Sequence, residues 1–98
     1  MLRAYLLCYD IADPRRLRAM FRLAKAHGKP LQYSVFICVL RRADRVRLAA
    51  RVDGLIDRRR DRVVILDLGA VPDRESWIPP VEVFGSQEIL SQSGSVVA

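Results

Sequence analysis

The sequence has little of what most enzyme chemistries need. It holds one histidine, His27, and two cysteines, Cys8 and Cys38. A lone histidine excludes the histidine-rich metal motifs. The cysteines lack C-x-x-C spacing and both sit in apolar, strand-like runs, so a zinc site or redox pair is excluded and two buried free thiols in a reducing compartment are expected. There is no Walker loop, no G-x-G-x-x-G and no G-x-S-x-G. No apolar stretch approaches the length of a membrane span. Leu2 to Cys8 is too short for a signal peptide and is broken by Arg3. A soluble cytoplasmic protein without membrane contact is the expectation. Lysine is scarce as well, with only Lys25 and Lys29, so the basic charge is almost all arginine.

What is present is a chain of 98 residues, 51% hydrophobic, too apolar for a disordered segment and sized for one domain. A chain this short exposes much of its surface and often gains from dimerising. The net charge of +6 suits a polyanion partner, because each phosphate neutralised releases counterions. Charge of this size also occurs in small proteins with no such partner.

The stretch around which the rest is arranged is Leu2 to Ile11. Its apolar run, Ala4-Tyr5-Leu6-Leu7-Cys8-Tyr9, reads as a strand buried on both faces and ends in the carboxylate of Asp10. Alternation places Leu6, Cys8 and Asp10 on one face and Tyr5, Leu7 and Tyr9 on the other. A solvent face would waste Leu6, and a sealed core would leave Asp10 unpaired. A face buried against a second subunit, with Asp10 near the rim, satisfies both. Asp13 and Pro14 then open a helix as N-cap and first helical residue. It runs to about His27, with Leu17, Met20, Phe21 and Ala24 at core spacing. Arg15, Arg18, Arg22 and Lys25 form a basic stripe, with Arg16 off it toward the helix start. Gly28 ends the helix, and His27 suits its last turn.

Leu31 to Leu40 is extended, either one long strand or two short ones kinked near Ser34; no Gly or Asn marks a hairpin. A second helix is expected over about Ala43 to Asp57, with Leu48, Val52, Leu55 and Ile56 toward the core. The charged turn Asp57 to Arg62 contains Arg58-Arg59-Arg60, which suits either a solvated turn or a phosphate contact. Arg62 to Leu68 is a buried strand that Gly69 ends. A proline-rich loop leads to a short strand, Val81 to Phe84, and a Ser- and Gln-rich tail follows over Ser86 to Ala98, with Ile89 and Leu90 able to dock on a surface. Residues 1–85 thus form one α+β domain, β-α-β(β)-α-β with an extra C-terminal strand. Two one-sided helices cover one sheet face, and the other is left for a dimer partner.

By elimination the remaining chemistry is metal-assisted phosphodiester hydrolysis. Mg²⁺ takes one or two carboxylates plus waters and phosphate oxygens. One Asp10 is a poor site, whereas two meeting across a dimer axis would serve. The structural alternative is that Asp10 caps a turn or the helix near Asp13.

Tyr5-Leu6-Leu7-Cys8-Tyr9-Asp10-Ile11, then Pro14-Arg15-Arg16-Leu17-Arg18, Gly28 and Gln32-Tyr33-Ser34-Val35-Phe36 with Leu40, resemble the small CRISPR-associated adaptation proteins, Cas two, over about Leu2 to Leu68. The resemblance implies a ferredoxin-like βαββαβ domain and a homodimer through the open sheet faces, with a C-terminal strand reaching the partner. It implies a metal-dependent endonuclease acting on single-stranded RNA or double-stranded DNA, with Asp10 binding Mg²⁺ and with Tyr9, Ser34 and Phe36 lining its neighbourhood as the catalytic set. It implies nucleic-acid contacts from Arg15, Arg16 and Arg18, which Arg22 of the basic stripe extends. It also implies an adaptor role in spacer integration, bound to the integrase partner protein and duplex DNA. Three functions therefore stand side by side: a nuclease, a non-catalytic duplex-binding scaffold, and a toxin-like ribonuclease.

Overall fold

The computed structural model describes residues 1–86. Its elements are β1 (Leu2–Asp10), α1 (Pro14–His27), β2 (Lys29–Gln32), β3 (Val35–Arg41), α2 (Arg42–Leu55) and β4 (Arg62–Val71). The four strands form one antiparallel sheet in the order β2-β3-β1-β4, the ferredoxin-like arrangement. β1, the most apolar strand, is central, paired to β3 and β4 from Leu2 to near its end.

The helices lie on one face. Tyr5, Leu7 and Tyr9 of β1, Phe36, Cys38 and Leu40 of β3, Met20 and Ala24 of α1, and Leu48 and Val52 of α2 make one core. The aromatic centre is Phe36, stacked against Tyr9 with ring centroids 6.3 Å apart and edge-on to Phe21 at 5.8 Å. Each such pair adds ~0.5–1.5 kcal/mol beyond the area it buries. Burial pushes the Cys38 thiol up to about 11, which keeps it protonated and unreactive.

The other face carries Leu6 and Cys8 opposite Leu66 and Val64 of β4 and opposite Ile37 and Val35 of β3. Leu66 is 53% exposed and Val64 44%. This is the second apolar face expected from the two-sided hydrophobicity of the strands; it is open at β4 and closed over Ile37, which is 8% exposed.

Asp13 caps α1 as expected, its carboxylate accepting from the Arg15 and Arg16 backbone N–H groups at 3.0 and 3.1 Å. Those N–H groups, the Arg16 one foremost, lower its pKa. His27 donates from Nδ1 to the Leu23 carbonyl at 2.8 Å, closing the last turn. Gly28 follows in extended backbone, so its role is not a left-handed cap. A Cβ there would sit 2.5 Å from the Ile37 carbonyl oxygen and 2.6 Å from Cys38 Sγ, so only glycine lets the helix end pass against β3.

Four readings need correction. The segment Leu31 to Leu40 is a hairpin, with Tyr33 and Ser34 as its two-residue turn. The signal is missing because no turn residue has positive φ, and a register shift between Pro30 and Gln32 absorbs the mismatch instead. Gly69 does not end β4. Its φ of +107° forms a bulge opposite Ala4 and Tyr5, and the strand continues to Val71. Leu17 is 42% exposed rather than part of the core. Val81 to Phe84 is not a strand among the described residues: no edge there pairs with it, and the Val81 N–H turns back to the Pro79 carbonyl. The expected tail falls, from residue 87 on, outside the described residues.

Gly28→Ala is expected to destabilise the fold by ~1–3 kcal/mol, the cost of overpacking a filled site. Urea unfolding with an unchanged slope checks it.

Candidate functional site

β1 carries Asp10 to the rim of the uncovered face. Its cross-strand neighbour is Arg62, and the carboxylate is exposed with no side-chain partner among the described residues. It caps neither a turn nor the helix; Asp13 does that.

The residues around it divide by face. Tyr9 points to the helix side, where its hydroxyl donates to the Tyr33 carbonyl at 2.9 Å. Burial pushes its pKa up to about 12, so it stays protonated at neutral pH and cannot accept a proton there. Phe36 is wholly buried on the same side. Ser34 meets the strand end through its backbone, its carbonyl accepting the Tyr9 N–H at 3.1 Å. Tyr9, Ser34 and Phe36 are therefore brought together beneath Asp10, as the support that fixes the strand end. Tyr9 and Phe36 do not line the surface that Asp10 faces.

A second support escaped sequence reading. Asp61, in the turn before β4, has a fully buried side chain and accepts four hydrogen bonds. These come from the Ala12 backbone N–H at 2.9 Å, the Asp57 backbone N–H at 2.8 Å, and Arg16 Nε and Nη2 at 2.7 and 3.1 Å. The carboxylate ties the β1–α1 connection to the α2–β4 turn, two residues beyond Asp10. The Arg16 guanidinium above all, and then the two N–H groups, hold its pKa well below the ordinary carboxylate range. In the sequence Asp61 is hidden between Arg58-Arg59-Arg60 and Arg62, where an acid reads as one more solvated charge. The cue was its place directly before an apolar strand.

The same contact settles where Arg16 is used: it is paired internally. Arg15, Arg18 and Arg22 are exposed and form no side-chain ion pair among the described residues. Arg58 pairs with Asp53, while Arg59, Arg60 and Arg62 are exposed at the same end of the sheet as Asp10. Among the described residues no three His, Cys, Asp or Glu side chains come together to hold a metal. One chain thus offers a single carboxylate in a cationic surround. That falls short of what a hard cation needs unless further oxygen ligands come from elsewhere. No helix of the described residues is long and apolar enough to cross a membrane.

The family model for CRISPR associated protein Cas2 matches residues 3–75. The chain belongs to the Cas2 family. Its match to CRISPR-associated endoribonuclease Cas2 1 of Rhodospirillum rubrum is 46% identical over 70 residues, 71% of this chain and 69% of that protein. The fold superposes on Streptococcus pyogenes Cas2 at pH 6.5 with a TM-score of 0.70 and 30% identity, covering 84% of this chain and 99% of that one. A chain of a partial Cas6-RT-Cas1–Cas2 complex shares the fold at a TM-score of 0.60 and 20% identity, over 86% of this chain and 96% of that one. The motif residues of β1 and the β2–β3 hairpin lie within the Cas2 match, as do Asp61 and Arg16.

The depressed Asp61 pKa gives a definite pH dependence. Its contribution to stability is complete above the unfolded carboxylate value of about 4 and is lost as pH falls through the lower folded value. Asp61→Asn is expected to lower Tm at neutral pH by ~10 °C or more, because Arg16 is left without its anion. It should also flatten the loss of stability below about pH 4. Thermal melts across pH check both.

Proposed function

We propose that this chain is a Mg²⁺-dependent endonuclease of CRISPR adaptation whose site is completed by a second copy of the chain. The observation that carries this is Asp10: a carboxylate with no side-chain partner among the described residues, at the rim of a sheet face whose β4 side leaves Val64 and Leu66 exposed. Packing two such faces removes Leu6, Val64 and Leu66 from water and brings two Asp10 residues to one interface. The exposed edge of β4 and the unpaired Val81–Phe84 give each copy a strand to add and an edge to receive it.

Two carboxylates with waters suit Mg²⁺, which supplies Lewis acidity toward phosphodiester oxygens and lowers the pKa of water. Arg15, Arg18 and Arg22 of α1, on the helix side, supply positive charge for the phosphates of a strand that passes the end of β1. Tyr9, Ser34 and Phe36 act beneath, keeping the end of β1 fixed. The endoribonuclease name of the Rhodospirillum rubrum relative supports phosphodiester cleavage of RNA, with duplex DNA as the other candidate substrate. The Cas1–Cas2 complex supports an integrase partner, met in the cytoplasm.

The second reading is a duplex-DNA scaffold for that integrase without catalysis of its own. The single carboxylate per chain favours it.

Cleavage of RNA and duplex DNA with Mg²⁺, against an EDTA control, separates the two. Asp10→Asn is expected to lower cleavage by ~10²-fold or more while nucleic-acid affinity changes by less than ~2-fold. Cleavage that survives in Asp10→Asn contradicts the nuclease assignment. Leu66→Glu places a charge on the open face and is expected to yield a folded monomer in sedimentation that no longer cleaves.

A further inference from the structure

We propose that the groove between α1 and the tip of the β2–β3 hairpin is a base-binding subsite that favours single-stranded over duplex nucleic acid. The inference rests on the nucleic-acid reading above and adds a subsite on the opposite face of the sheet from Asp10. The groove holds about 650 Å³, and Tyr9, Leu17, Arg18, Phe21, Arg22, Lys25 and Tyr33 line it.

Two rows of α1 side chains lie side by side there. Leu17 and Phe21 are one turn apart and make an apolar floor; Arg18 and Arg22, also one turn apart, make a cationic wall. Leu17 is 42% exposed. Tyr33 stands across from them, 63% exposed, at the hairpin turn. Its backbone is nonetheless fixed, since its carbonyl takes the Tyr9 hydroxyl at 2.9 Å and the neighbouring Ser34 carbonyl takes the Tyr9 N–H at 3.1 Å. An exposed aromatic on a held turn costs little entropy to engage.

An apolar slot with an aromatic wall and two guanidiniums on its rim matches a flat base carrying an anionic backbone. A base can lie against Tyr33 and the apolar floor only if it is unpaired and unstacked, so a duplex can use the arginines but not the slot. Tyr9 joins this groove to the catalytic strand: it lines the slot, and the next residue is Asp10. A single strand seated by one base in the groove is thereby held close to the end of β1.

The test compares an unstructured RNA oligonucleotide, the same oligonucleotide with abasic sites at its centre, and a DNA duplex of equal length. All are measured in EDTA, so that binding is read without cleavage. Tyr33→Ala is expected to weaken RNA binding by about 5- to 150-fold, the range for losing one stacked base, and to lower the RNA-to-duplex affinity ratio correspondingly. Tyr33→Phe should retain wild-type RNA affinity. The abasic strand should bind the wild type about as weakly as RNA binds Tyr33→Ala. Arg18→Gln with Arg22→Gln should weaken all three ligands. The subsite is overturned if Tyr33→Ala binds RNA as the wild type does, or if abasic and intact RNA bind equally. Failure of the wild type to bind any of the three would overturn the nucleic-acid reading itself.

Discussion

A four-stranded sheet has two faces, and this chain supplies helices for one. β1 is apolar on both sides, so Leu6 and Cys8 are presented to the uncovered face along with Val64 and Leu66 of β4. Burying one leucine-sized side chain is worth ~1.5–3 kcal/mol, and several lie here in a contiguous patch. The constraint explains why Asp10 stands where it does. A carboxylate at the end of a strand buried on both sides would be costly, whereas at the rim of an interface it stays hydrated until a partner arrives. On the proposed reading, covering the face and completing the metal site are the same event.

The rim position must also be rigid, and two buried polar contacts see to that from opposite sides. Tyr9 is stacked on Phe36 and bonded to the Tyr33 carbonyl, which fixes β1 to the hairpin tip. Asp61 collects Ala12, Asp57 and Arg16 on one carboxylate, which fixes the β1–α1 turn to the start of β4. Both hold the strand end that carries Asp10. Arg16 illustrates the division of labour among the arginines: it serves the fold, while Arg15, Arg18 and Arg22 remain on the surface.

Much of this was legible in the residues. The apolar run of β1, the Asp13-Pro14 helix start and the two-sided strands led to a β-α-β(β)-α-β order and the open face, and the motif residues led to the family and, through it, to the βαββαβ order. What was hidden had a physical reason in each case. The hairpin at Tyr33 and Ser34 uses no positive φ, so no glycine or asparagine announces it. Gly69 signals a break in the strand pattern, and sequence cannot tell a bulge from an end. Gly28 is required by the approach of Ile37 and Cys38, residues that adjacency in sequence does not reveal. Asp61 looked like a surface charge because burial depends on which loop lies across it. Leu17 followed the core spacing of α1, yet it lines the groove beside the hairpin tip and is 42% exposed.

The most direct measure of the central claim is the stoichiometry of divalent-ion binding, read by titration calorimetry with Mg²⁺ or by the electron paramagnetic resonance of Mn²⁺ as its stand-in. If two Asp10 carboxylates share one ion, the wild type binds one ion per two chains. Asp10→Asn and the monomeric Leu66→Glu variant each bind none. One ion per chain, or binding that survives in the monomer, would contradict a site assembled from two copies.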